Sequence, residues 1–511
     1  MTDFLFTNLM PLAFFFLLVF LTCGRPRCAT LLTLLIAGAM VVANEVLLTL
    51  VHTPLMPEYL LVVGDLFRHF DIYWRTVHGF GWMVAGFFVI LGFGMAVARR
   101  EPERLPAGPL AMLLRGVGVG VLLGCGLLVL QSDSWSPIDP DDLPAAVRSQ
   151  GVFGFFTRML PGLNWPARHL ISASPPAWHG PRPDILVIQS ESLFDIETMP
   201  LEIPQETFKN IKKIRQESAW HGPLGVPAWG ANTYRTEFSF LTGLPMAFVH
   251  PSGYHPYATL TRQPVHSLAR ALVGLGYRAI GITAAPATFL NTDPAWRNMG
   301  FSTIIGAEEF PESGRVAGYP SDRQLTERIV TILGQAEEPL FLFVTTMENH
   351  HHAPEQEHRF DNAWPGRLSE ATGAVFAHYL GHADQADGML GELTSFLRER
   401  GRPAVLVFYG DHPPPLLPLY RELNRTPTDT FFLIWSTPSA VTHREGKAEV
   451  WSLAASILAT AGLPLDAHFR QVAALAARCG QGFATCRLTI DEKNRYREAS
   501  LEGVFGILQQ H

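Results

Sequence analysis

Three groups of acidic and imidazole side chains in this chain each follow a short apolar run. Glu191 follows "DILVIQ", Glu348 and His350 follow "PLFLFVTT", and Asp411 and His412 follow "PAVLVFY". If these runs are strands of an open α/β sheet, the loops at their carboxyl ends converge, so residues far apart in sequence can meet there. One group alone would be explained as a helix cap or a turn. Three groups on one edge favour a functional site.

The chemistry of these side chains is that of a divalent metal centre. Carboxylate oxygen and imidazole nitrogen are ligands that suit zinc or manganese, whereas magnesium tolerates imidazole poorly. A neutral hydroxyl is a weak nucleophile, and a nearby cation favours the loss of its proton. We therefore expect an exposed serine or threonine beside the metal.

The segment "GANTYRTEFSFLTG" at residues 230–243 supplies such a hydroxyl. Thr233 follows a small, flexible approach and precedes what the pattern predicts to be a helix. A threonine near the amino terminus of a helix faces the positive end of the helix dipole, which favours an incoming phosphate. Arg235 could neutralise a phosphate oxygen or be a solvated loop charge, and the sequence leaves both interpretations open.

The elements that must position these residues begin at residue 184. Five nearly continuous apolar runs are typical of strands covered on both faces, as in a parallel sheet. They are "DILVIQ" (184–189), "YRAIGIT" (277–283), "PLFLFVTT" (339–346), "PAVLVFY" (403–409) and "TFFLIW" (430–435). Helical spacing between several of these runs predicts an α/β domain with a mostly parallel central sheet.

In their order and spacing these motifs resemble a known family. The pattern Gly-x-x-Thr-x-x-x-Glu-Phe-x-x-Leu-Thr-Gly lies between "VIQSES" upstream and "LVGLGYRAIGI", "MGFSTII", "TMENH" and "FYGDHP" downstream. Over residues 184–465 the chain resembles the lipoteichoic acid synthase-like phosphoglycerol transferases of the alkaline phosphatase–sulfatase superfamily. The resemblance implies a multi-pass α-helical membrane domain followed by an α/β alkaline-phosphatase-like, or sulfatase-like, catalytic domain.

The resemblance also implies roles for individual residues. Glu191, Thr233, Asp411 and His412 would surround one metal ion, usually manganese or magnesium in this family, with Thr233 as the nucleophile. Since the ligand chemistry favours zinc or manganese, manganese is the expectation common to both lines of reasoning, with magnesium and zinc as alternatives.

His350 in "TMENH" matches the family histidine that contacts the substrate phosphate or protonates the leaving group. The chain continues with His351 and His352, so the sequence does not decide which of the three histidines faces the substrate.

One segment departs from the family pattern. Where family members have a histidine and then Trp-Asn-Arg-Asp, this chain reads "TAAPATFLNTDPAW", with Thr283, Leu290 and Thr292 at the histidine, tryptophan and arginine positions. The loss of an arginine removes a fixed cation that can hold phosphate through two hydrogen bonds. The identity of the lipid headgroup or of the acceptor is therefore left open.

Four apolar runs near the amino terminus predict transmembrane helices. They cover residues 4–23, 29–50, 79–98 and 109–131. Each is about 20 residues long, enough at roughly 1.5 Å per residue to cross a hydrocarbon core of ~30 Å. A cleaved signal peptide is the alternative for the first run, and three further spans favour an anchor.

Basic residues in two short loops predict the orientation. Arg25 and Arg27 follow the first run, and Arg99, Arg100 and Arg104 follow the third. By the positive-inside rule these loops face the cytoplasm. We therefore expect a multi-pass protein of the plasma (inner) membrane with its catalytic domain on the periplasmic or extracellular side.

The predicted domains are a transmembrane anchor at 1–131, an interfacial linker at 132–183 and an extracytoplasmic catalytic domain at 184–511.

Three smaller features are left open by the sequence. In the linker, "AAVRSQGVFGFFTRML" could be an amphipathic helix on the membrane surface or an ordinary packed helix. Cys479 and Cys486 could form a disulfide in an oxidising compartment or remain free thiols. Glu45 and Arg115, both inside predicted spans, could pair or could each lie near water.

The working hypothesis is metal-dependent transfer of phosphoglycerol from phosphatidylglycerol, through a phosphothreonine, to an extracytoplasmic glycan or polymer. The alternatives are a phosphoethanolamine transferase acting on phosphatidylethanolamine, a hydrolase of the sulfatase or phosphatase type, and a catalytically silent binding module on a membrane anchor. The expected partners are a membrane phospholipid donor and a glycan acceptor. A net charge of -7 argues against nucleic acid as a partner.

Overall fold

A computed structural model describes most of the chain. The described residues are 2–76, 80–100, 105–106, 108–130, 143–163, 168–169, 178–204, 206–249, 253–350, 363–364, 366–439, 442–483 and 486–508. They divide into two compact units, each of which is described by itself. The first comprises Met1–Trp165 with His250–Tyr254, and the second comprises Pro166–Val249 with His255–His511.

The described part of the first unit is helical. Its helices are α1 (Thr2–Cys23), α2 (Pro26–Val51), α3 (Tyr59–Arg68), α4 (Phe70–Thr76), α5 (Phe80–Arg100), α6 (Pro109–Leu130), α7 (Leu143–Gln150) and α8 (Val152–Met159). All four predicted apolar runs are therefore helical over their described residues. Among the described residues, two stretches are long and apolar enough to cross a membrane, Pro26–Val51 and Pro109–Gly126. The number of four spans and their orientation stay predictions.

Arg115 in α6 contacts the carboxyl end of α1. Its Nε donates to the carbonyl oxygen of Leu21 at 2.8 Å and its Nη2 to that of Thr22 at 3.0 Å. The last carbonyls of a helix have no partner within the helix and carry its negative end, so a cation stabilises them. Gly24 follows at a φ of +70°, and a Cβ there would lie 2.9 Å from Arg115 Nη2. Arg115 thus binds a helix end, while Glu45 is exposed on α2.

The segment predicted to be an amphipathic surface helix or an ordinary packed helix has packed residues, and its position relative to a membrane stays a prediction. It forms α7 and α8, which are separated at Gly151 with a φ of +75°. Phe155 and Met159 are buried in a small apolar cluster with Met56 and Ala146. Residues 132–142, 164–167 and 170–177 of the predicted linker lie outside the described residues.

The second unit contains the strands of the described chain. They are β1 (Arg168–His169), β2 (Asp184–Ser190), β3 (Trp220–Gly225), β4 (Arg278–Thr283), β5 (Thr303–Ile305), β6 (Leu340–Thr345), β7 (Ala404–Gly410), β8 (Thr430–Thr437), β9 (Arg444–Glu445), β10 (Ala448–Glu449) and β11 (Ile507–Leu508). β1 and β11 pair with each other, and the other nine described strands form one sheet in the order β10-β3-β8-β7-β2-β6-β4-β5, with β9 beside β3.

The sheet is mostly parallel, which confirms the predicted fold class. β7, β2, β6, β4 and β5 are neighbours that run in the same direction. β8 is antiparallel to both β7 and β3, although its sequence predicted a strand of the parallel type. Its residues are buried like those of the parallel strands. Continuous hydrophobicity reports burial on both faces and carries no information on strand direction.

Helices cover the sheet. They are α9 (Lys209–Glu217), α10 (Thr233–Thr242), α11 (Pro256–Thr259), α12 (Leu268–Gly274), α13 (Thr292–Met299), α14 (Asp322–Gln335), α15 (Glu370–Arg400), α16 (Leu417–Glu422), α17 (Leu453–Thr460), α18 (Ala467–Cys479) and α19 (Ile490–Phe505). One apolar cluster includes residues of β2, β6, β7 and β8 and buried residues of α14 and α15. Cys479 and Cys486 form a disulfide at the end of α18.

Candidate active site

Strand register brings the predicted metal ligands together. β2 and β7 are adjacent and parallel, and Ser190 pairs with Gly410 at their carboxyl ends. The next residue on each strand is therefore Glu191 on one side and Asp411 on the other, and His412 follows. All three side chains are buried, and each offers a ligand atom within 4.8 Å of the other two.

The protonation of His412 follows from its hydrogen bonds. Its Nδ1 lies 3.1 Å from the carbonyl oxygen of Pro413, an acceptor that requires a proton on Nδ1. A neutral ring then has a lone pair on Nε2. That nitrogen lies 3.5 Å from Glu191 Oε1 and 3.4 Å from Asp411 Oδ2. Three electron pairs therefore converge on one small space.

These residues fit a bound cation. Asp411 Oδ2 and His412 Nε2 are fully buried, and neither has a hydrogen-bond partner within the described part of the chain. A buried polar atom without a partner costs about 1–3 kcal/mol. The other Asp411 oxygen accepts from the backbone N–H groups of Ser192 at 2.7 Å and His412 at 2.8 Å, which fixes the orientation of the carboxylate. A divalent ion among the three groups would satisfy the two orphaned atoms.

The electrostatics of the metal-free cluster are unfavourable. Burial, followed by the negative charge of Asp411, raises the pKa of Glu191 well above its usual range. Hydrogen bonds from Ser192 and Thr233 act in the opposite direction and do not compensate. A nearby cation favours the ionised form of a carboxylate. Holding two buried carboxylates side by side therefore costs free energy in the metal-free protein, and a bound metal ion would offset this cost.

Thr233 lies beside this cluster as the first residue of α10. Its Oγ1 donates to Glu191 Oε2 at 3.4 Å, and its side chain is only half-buried. The preceding Asn232 has a φ of +72°, a left-handed conformation that asparagine tolerates better than most residues. This turn presents the hydroxyl at the amino end of α10. The alcohol is thus accessible and within reach of the ligand set.

α10 is held against the cluster by a second threonine. Thr236 Oγ1 donates to the carbonyl oxygen of Asp411 at 2.9 Å.

Arg235, on the same turn, is half-buried. Burial first, and the positive charge of Arg235 to a smaller extent, lower the pKa of the neighbouring His255 to about 3. The Arg235 charge therefore acts on His255, and the role of Arg235 toward phosphate stays a prediction.

His350 ends a short 3-10 turn, Glu348–His350, that follows β6. Its ring packs edge-on against Tyr319, with ring centroids 5.9 Å apart. The preceding Asn349 donates to the carbonyl oxygens of Glu191 at 3.3 Å and Ser192 at 3.4 Å. The turn that carries His350 is thus attached to the segment that carries Glu191. His351 and His352 lie outside the described residues.

Sequence reasoning did not identify Ser192, Asn349 and Thr346 as parts of the site. Ser192 Oγ donates to Glu191 Oε1 at 2.7 Å, and Thr346 Oγ1 accepts from the backbone N–H of Glu191 at 3.1 Å. The signal was present in "VIQSES" and "TTMENH", where small polar residues adjoin the predicted site residues. The bonds of Thr346 and Asn349 join segments more than 150 residues apart, so only the tertiary structure reveals them.

The sulfatase family model matches residues 183–463, which is more than half of the chain. A Rhizobium meliloti (strain 1021) protein named for cyclic beta-1,2-glucan modification is 30% identical over 246 residues, which cover 47% of this chain and 37% of that protein. The capsular polysaccharide biosynthesis protein RkpI of the same organism is 29% identical over 57% of this chain and 52% of its own length. The chain thus spans about half or less of these relatives.

Two solved structures share the fold. The phosphoglycerol transferase GacH of Streptococcus pyogenes, in complex with sn-glycerol-1-phosphate, has a TM-score of 0.50 at 19% identity, over 64% of this chain and 87% of that chain. The integral membrane protein lipooligosaccharide phosphoethanolamine transferase A (EptA) of Neisseria meningitidis has a TM-score of 0.52 at 11% identity, over 85% of this chain and 84% of that chain. At these identities the likeness concerns the fold alone.

Proposed function

Since the chain belongs to the sulfatase family, we propose that it is a metal-dependent transferase that moves a phospholipid headgroup through a phosphothreonine at Thr233. The membership confirms the superfamily resemblance drawn from the sequence motifs. The donor we propose is phosphatidylglycerol, and the acceptor is an extracytoplasmic glycan or polymer. The names of the relatives, which concern glucan modification and capsular polysaccharide, support a glycan acceptor.

The single observation that carries the proposal is the position of the Thr233 hydroxyl. Thr233 is half-buried and begins a helix, and its hydroxyl lies 3.4 Å from Glu191 Oε2, beside two buried ligand atoms that have no protein partner in the described chain. A threonine that only packs or caps would not need an arrangement of this kind. An accessible alcohol next to a cation site suits nucleophilic attack.

Glu191, Asp411 and His412 would hold the metal, with the Thr233 hydroxyl beside them. We propose manganese, since carboxylate and imidazole donors together suit it, with magnesium and zinc as alternatives. When bound, the ion supplies positive charge that lowers the energy of the charged transition state at phosphorus.

The protein residues carry the remaining steps. Thr233 Oγ1 attacks the phosphorus of the lipid, so that an O–P bond forms and the bond from phosphorus to the diacylglycerol oxygen breaks. Glu191 Oε2, to which the hydroxyl donates, accepts the proton of Thr233. His350 gives a proton to the diacylglycerol oxygen. An acceptor hydroxyl then gives its proton to His350 and attacks phosphorus. The bond from phosphorus to Thr233 Oγ1 breaks, and Glu191 returns the proton to the Thr233 oxygen, so both groups regain their starting state.

The loop that differs from the family pattern bears on the headgroup. Thr283 ends β4, and its Oγ1 accepts from the backbone N–H of Ala285 at 3.1 Å. Thr292 Oγ1 donates to the carbonyl oxygen of Phe289 at 2.8 Å. Both hydroxyls therefore take part in the loop's own hydrogen bonds.

A phosphoethanolamine transferase is the second candidate, because EptA shares the fold over the larger part of this chain.

Intact mass spectrometry is expected to identify the headgroup. The full-length protein in detergent, incubated with manganese and phosphatidylglycerol, should gain the mass of one glycerophosphoryl group, which is glycerol phosphate less one water, located on the peptide containing Thr233. Phosphatidylethanolamine should give no adduct. An adduct from phosphatidylethanolamine alone would establish the second candidate, and absence of any adduct with rapid release of free headgroup phosphate would indicate a hydrolase.

The proposed orientation has its own test. A periplasm-dependent phosphatase reporter fused after His511 is expected to be active, because the catalytic domain would lie outside the cytoplasm. The same reporter inserted between α5 and α6, after the basic residues that end α5, should be inactive. Equal activity at both positions would contradict the proposed topology.

A further inference from the structure

A buried cluster of three polar side chains lies beneath α10, and no described hydrogen bond joins it to the metal ligands. Tyr257 Oη donates to Glu237 Oε2 at 2.6 Å, and Trp296 Nε1 donates to Tyr257 Oη at 2.9 Å and approaches Glu237 Oε2 at 3.3 Å. Glu237 is 6% exposed, Tyr257 3% and Trp296 0%. One carboxyl oxygen thus receives two donors inside the protein.

The three residues come from three different elements. Glu237 lies one helical turn after Thr233 on α10, Tyr257 belongs to α11, and Trp296 belongs to α13. α13 directly follows the 3-10 turn Phe289–Asn291, which is part of the loop that departs from the family pattern, and α11 also contacts this turn. The cluster therefore joins the helix of the nucleophile to the loop proposed to meet the headgroup.

Tyr257 also contacts the turn that presents Thr233. Its ring lies against that of Tyr234, with centroids 6.1 Å apart. Tyr234 Oη donates to the side-chain oxygen of Asn232 at 2.9 Å. Asn232 holds the left-handed conformation immediately before Thr233, so a shift of Tyr257 would be transmitted to the nucleophile through two contacts.

α10 also packs against the strands that carry the metal ligands. Phe240 of α10 stacks on Tyr409 of β7 with centroids 5.0 Å apart, and Tyr409 Oη donates to Gln189 Oε1 of β2 at 2.6 Å. Gln189 lies two residues before Glu191, and Tyr409 lies two residues before Asp411. Movement of α10 relative to this pair would change the distance between Thr233 and the cation site.

Burial of Glu237 has a free-energy cost that an apolar side chain would avoid. Burial raises the pKa of its carboxyl to about 7, although the hydrogen bond from Tyr257 lowers it. Buried polar groups that are fully hydrogen-bonded fix a unique packing arrangement, whereas apolar contacts permit sliding. A single oxygen with two directional donors therefore defines the position of α10 more sharply than packing alone.

We propose that Glu237, Tyr257 and Trp296 are positioning residues that fix α10, and with it Thr233, relative to the cation site and link this position to the headgroup loop at residues 284–292. This inference rests on the proposed headgroup transfer through Thr233. Because the cluster touches neither the metal ligands nor the hydroxyl in the described contacts, its loss should slow the chemical step without removing metal or lipid binding.

The test compares two substitutions that each delete one buried tyrosine hydroxyl. Tyr257→Phe removes the cluster's central bond, and Tyr277→Phe removes a buried bond to the carbonyl oxygen of Pro183 at 2.9 Å, outside the cluster. With the full-length protein, manganese and phosphatidylglycerol, Tyr257→Phe is expected to lower kcat by on the order of 10- to 100-fold, as for a slightly misplaced nucleophile. KM and manganese affinity should be unchanged. Tyr277→Phe should retain wild-type kcat.

Two further readouts complete the test. Amide hydrogen exchange in the peptide 230–243 should accelerate in Tyr257→Phe but not in Tyr277→Phe. Trp296→Phe, which keeps an aromatic ring and removes the N–H donor, should lower kcat like Tyr257→Phe. Equal kcat in the two tyrosine variants, or unchanged exchange in 230–243, would overturn the inference. If the wild-type protein transfers no headgroup, the proposed function fails, and the exchange comparison alone then decides whether the cluster holds α10.

Discussion

Thr233→Ala is expected to abolish formation of the headgroup adduct and release of diacylglycerol, while the folded structure is retained. Thr233 is half-buried and its hydroxyl makes one described hydrogen bond, to Glu191, so its removal costs little stability, on the order of 1 kcal/mol. The reaction loses its only proposed route, because no oxygen remains to form the bond to phosphorus. Radiolabelled diacylglycerol release and intact mass measure the loss, and circular dichroism verifies the fold.

Two variants serve as controls for this prediction. Thr233→Ser keeps the hydroxyl and should retain measurable transfer, since only the methyl group is lost. Thr331→Ala removes a hydroxyl in α14 that donates to the carbonyl oxygen of Glu327 at 2.8 Å and should retain wild-type activity. Adduct formation by Thr233→Ala at the wild-type rate would show that the nucleophile is another residue.

Glu191→Gln is expected to have opposite effects on stability in the absence and presence of metal. Without metal, burial and Asp411 raise the pKa of Glu191, so an amide of the same shape should stabilise the folded state above the unfolded-state pKa of about 4.3. With metal, the loss of a charged ligand should lower affinity by more than the roughly 10–100-fold typical of a lost outer-shell partner. A wild-type gain of about 2.7 kcal/mol at 100 Kd of metal would then be largely absent.

The sign of the pH dependence follows from the same shift. Since the folded-state pKa of Glu191 is raised, its contribution to stability is fully present below the unfolded-state pKa and is lost as pH rises through the folded-state pKa. Between the unfolded-state and the folded-state pKa of Glu191, the metal-free wild-type protein should therefore lose thermal stability as pH rises. The Glu191→Gln variant should lose less over the same pH interval. Thermal unfolding in chelator, with and without added manganese, measures both effects.

Metal analysis provides the control for this second prediction. The purified wild-type protein should contain close to one divalent ion per chain, and Glu191→Gln and Asp411→Asn should contain much less. Thr331→Ala, remote from the cluster, should match the wild type. A wild-type protein that binds no stoichiometric metal, and whose Tm does not respond to manganese, would support the catalytically silent module instead.

Much of the catalytic domain could be predicted from sequence because the signals were local. Each of the five apolar runs forms a strand, since continuous hydrophobicity directly reports burial in a covered sheet. Trp220–Gly225 was not identified, because two glycines and a proline in six residues obscure its strand character. Thr303–Ile305 lay in the quoted motif "MGFSTII" but is too short to be recognised by periodicity.

Some residues of the candidate site could likewise be predicted from the sequence, and others could not. The chemistry of Glu191, Asp411 and His412 was visible in the sequence, because these side chains follow strands and because a metal needs such donors. Asn349 and Ser192 were not assigned, since amides and serines are common in loops and carry no distinctive signal alone. The disulfide between Cys479 and Cys486 was left open by the sequence because pairing depends on geometry.

The sequence by itself determined which side chains could do chemistry, the order of the apolar segments and the resemblance to a superfamily, because residue type and spacing are written along the chain. Only the tertiary structure decided that Ser190 pairs with Gly410, that two ligand atoms have no hydrogen-bond partner among the described residues, and that Glu237 meets Tyr257 and Trp296. The physical reason is that these contacts depend on the register of the strands and on how the helices pack against the sheet. Both arise from packing between segments tens to hundreds of residues apart.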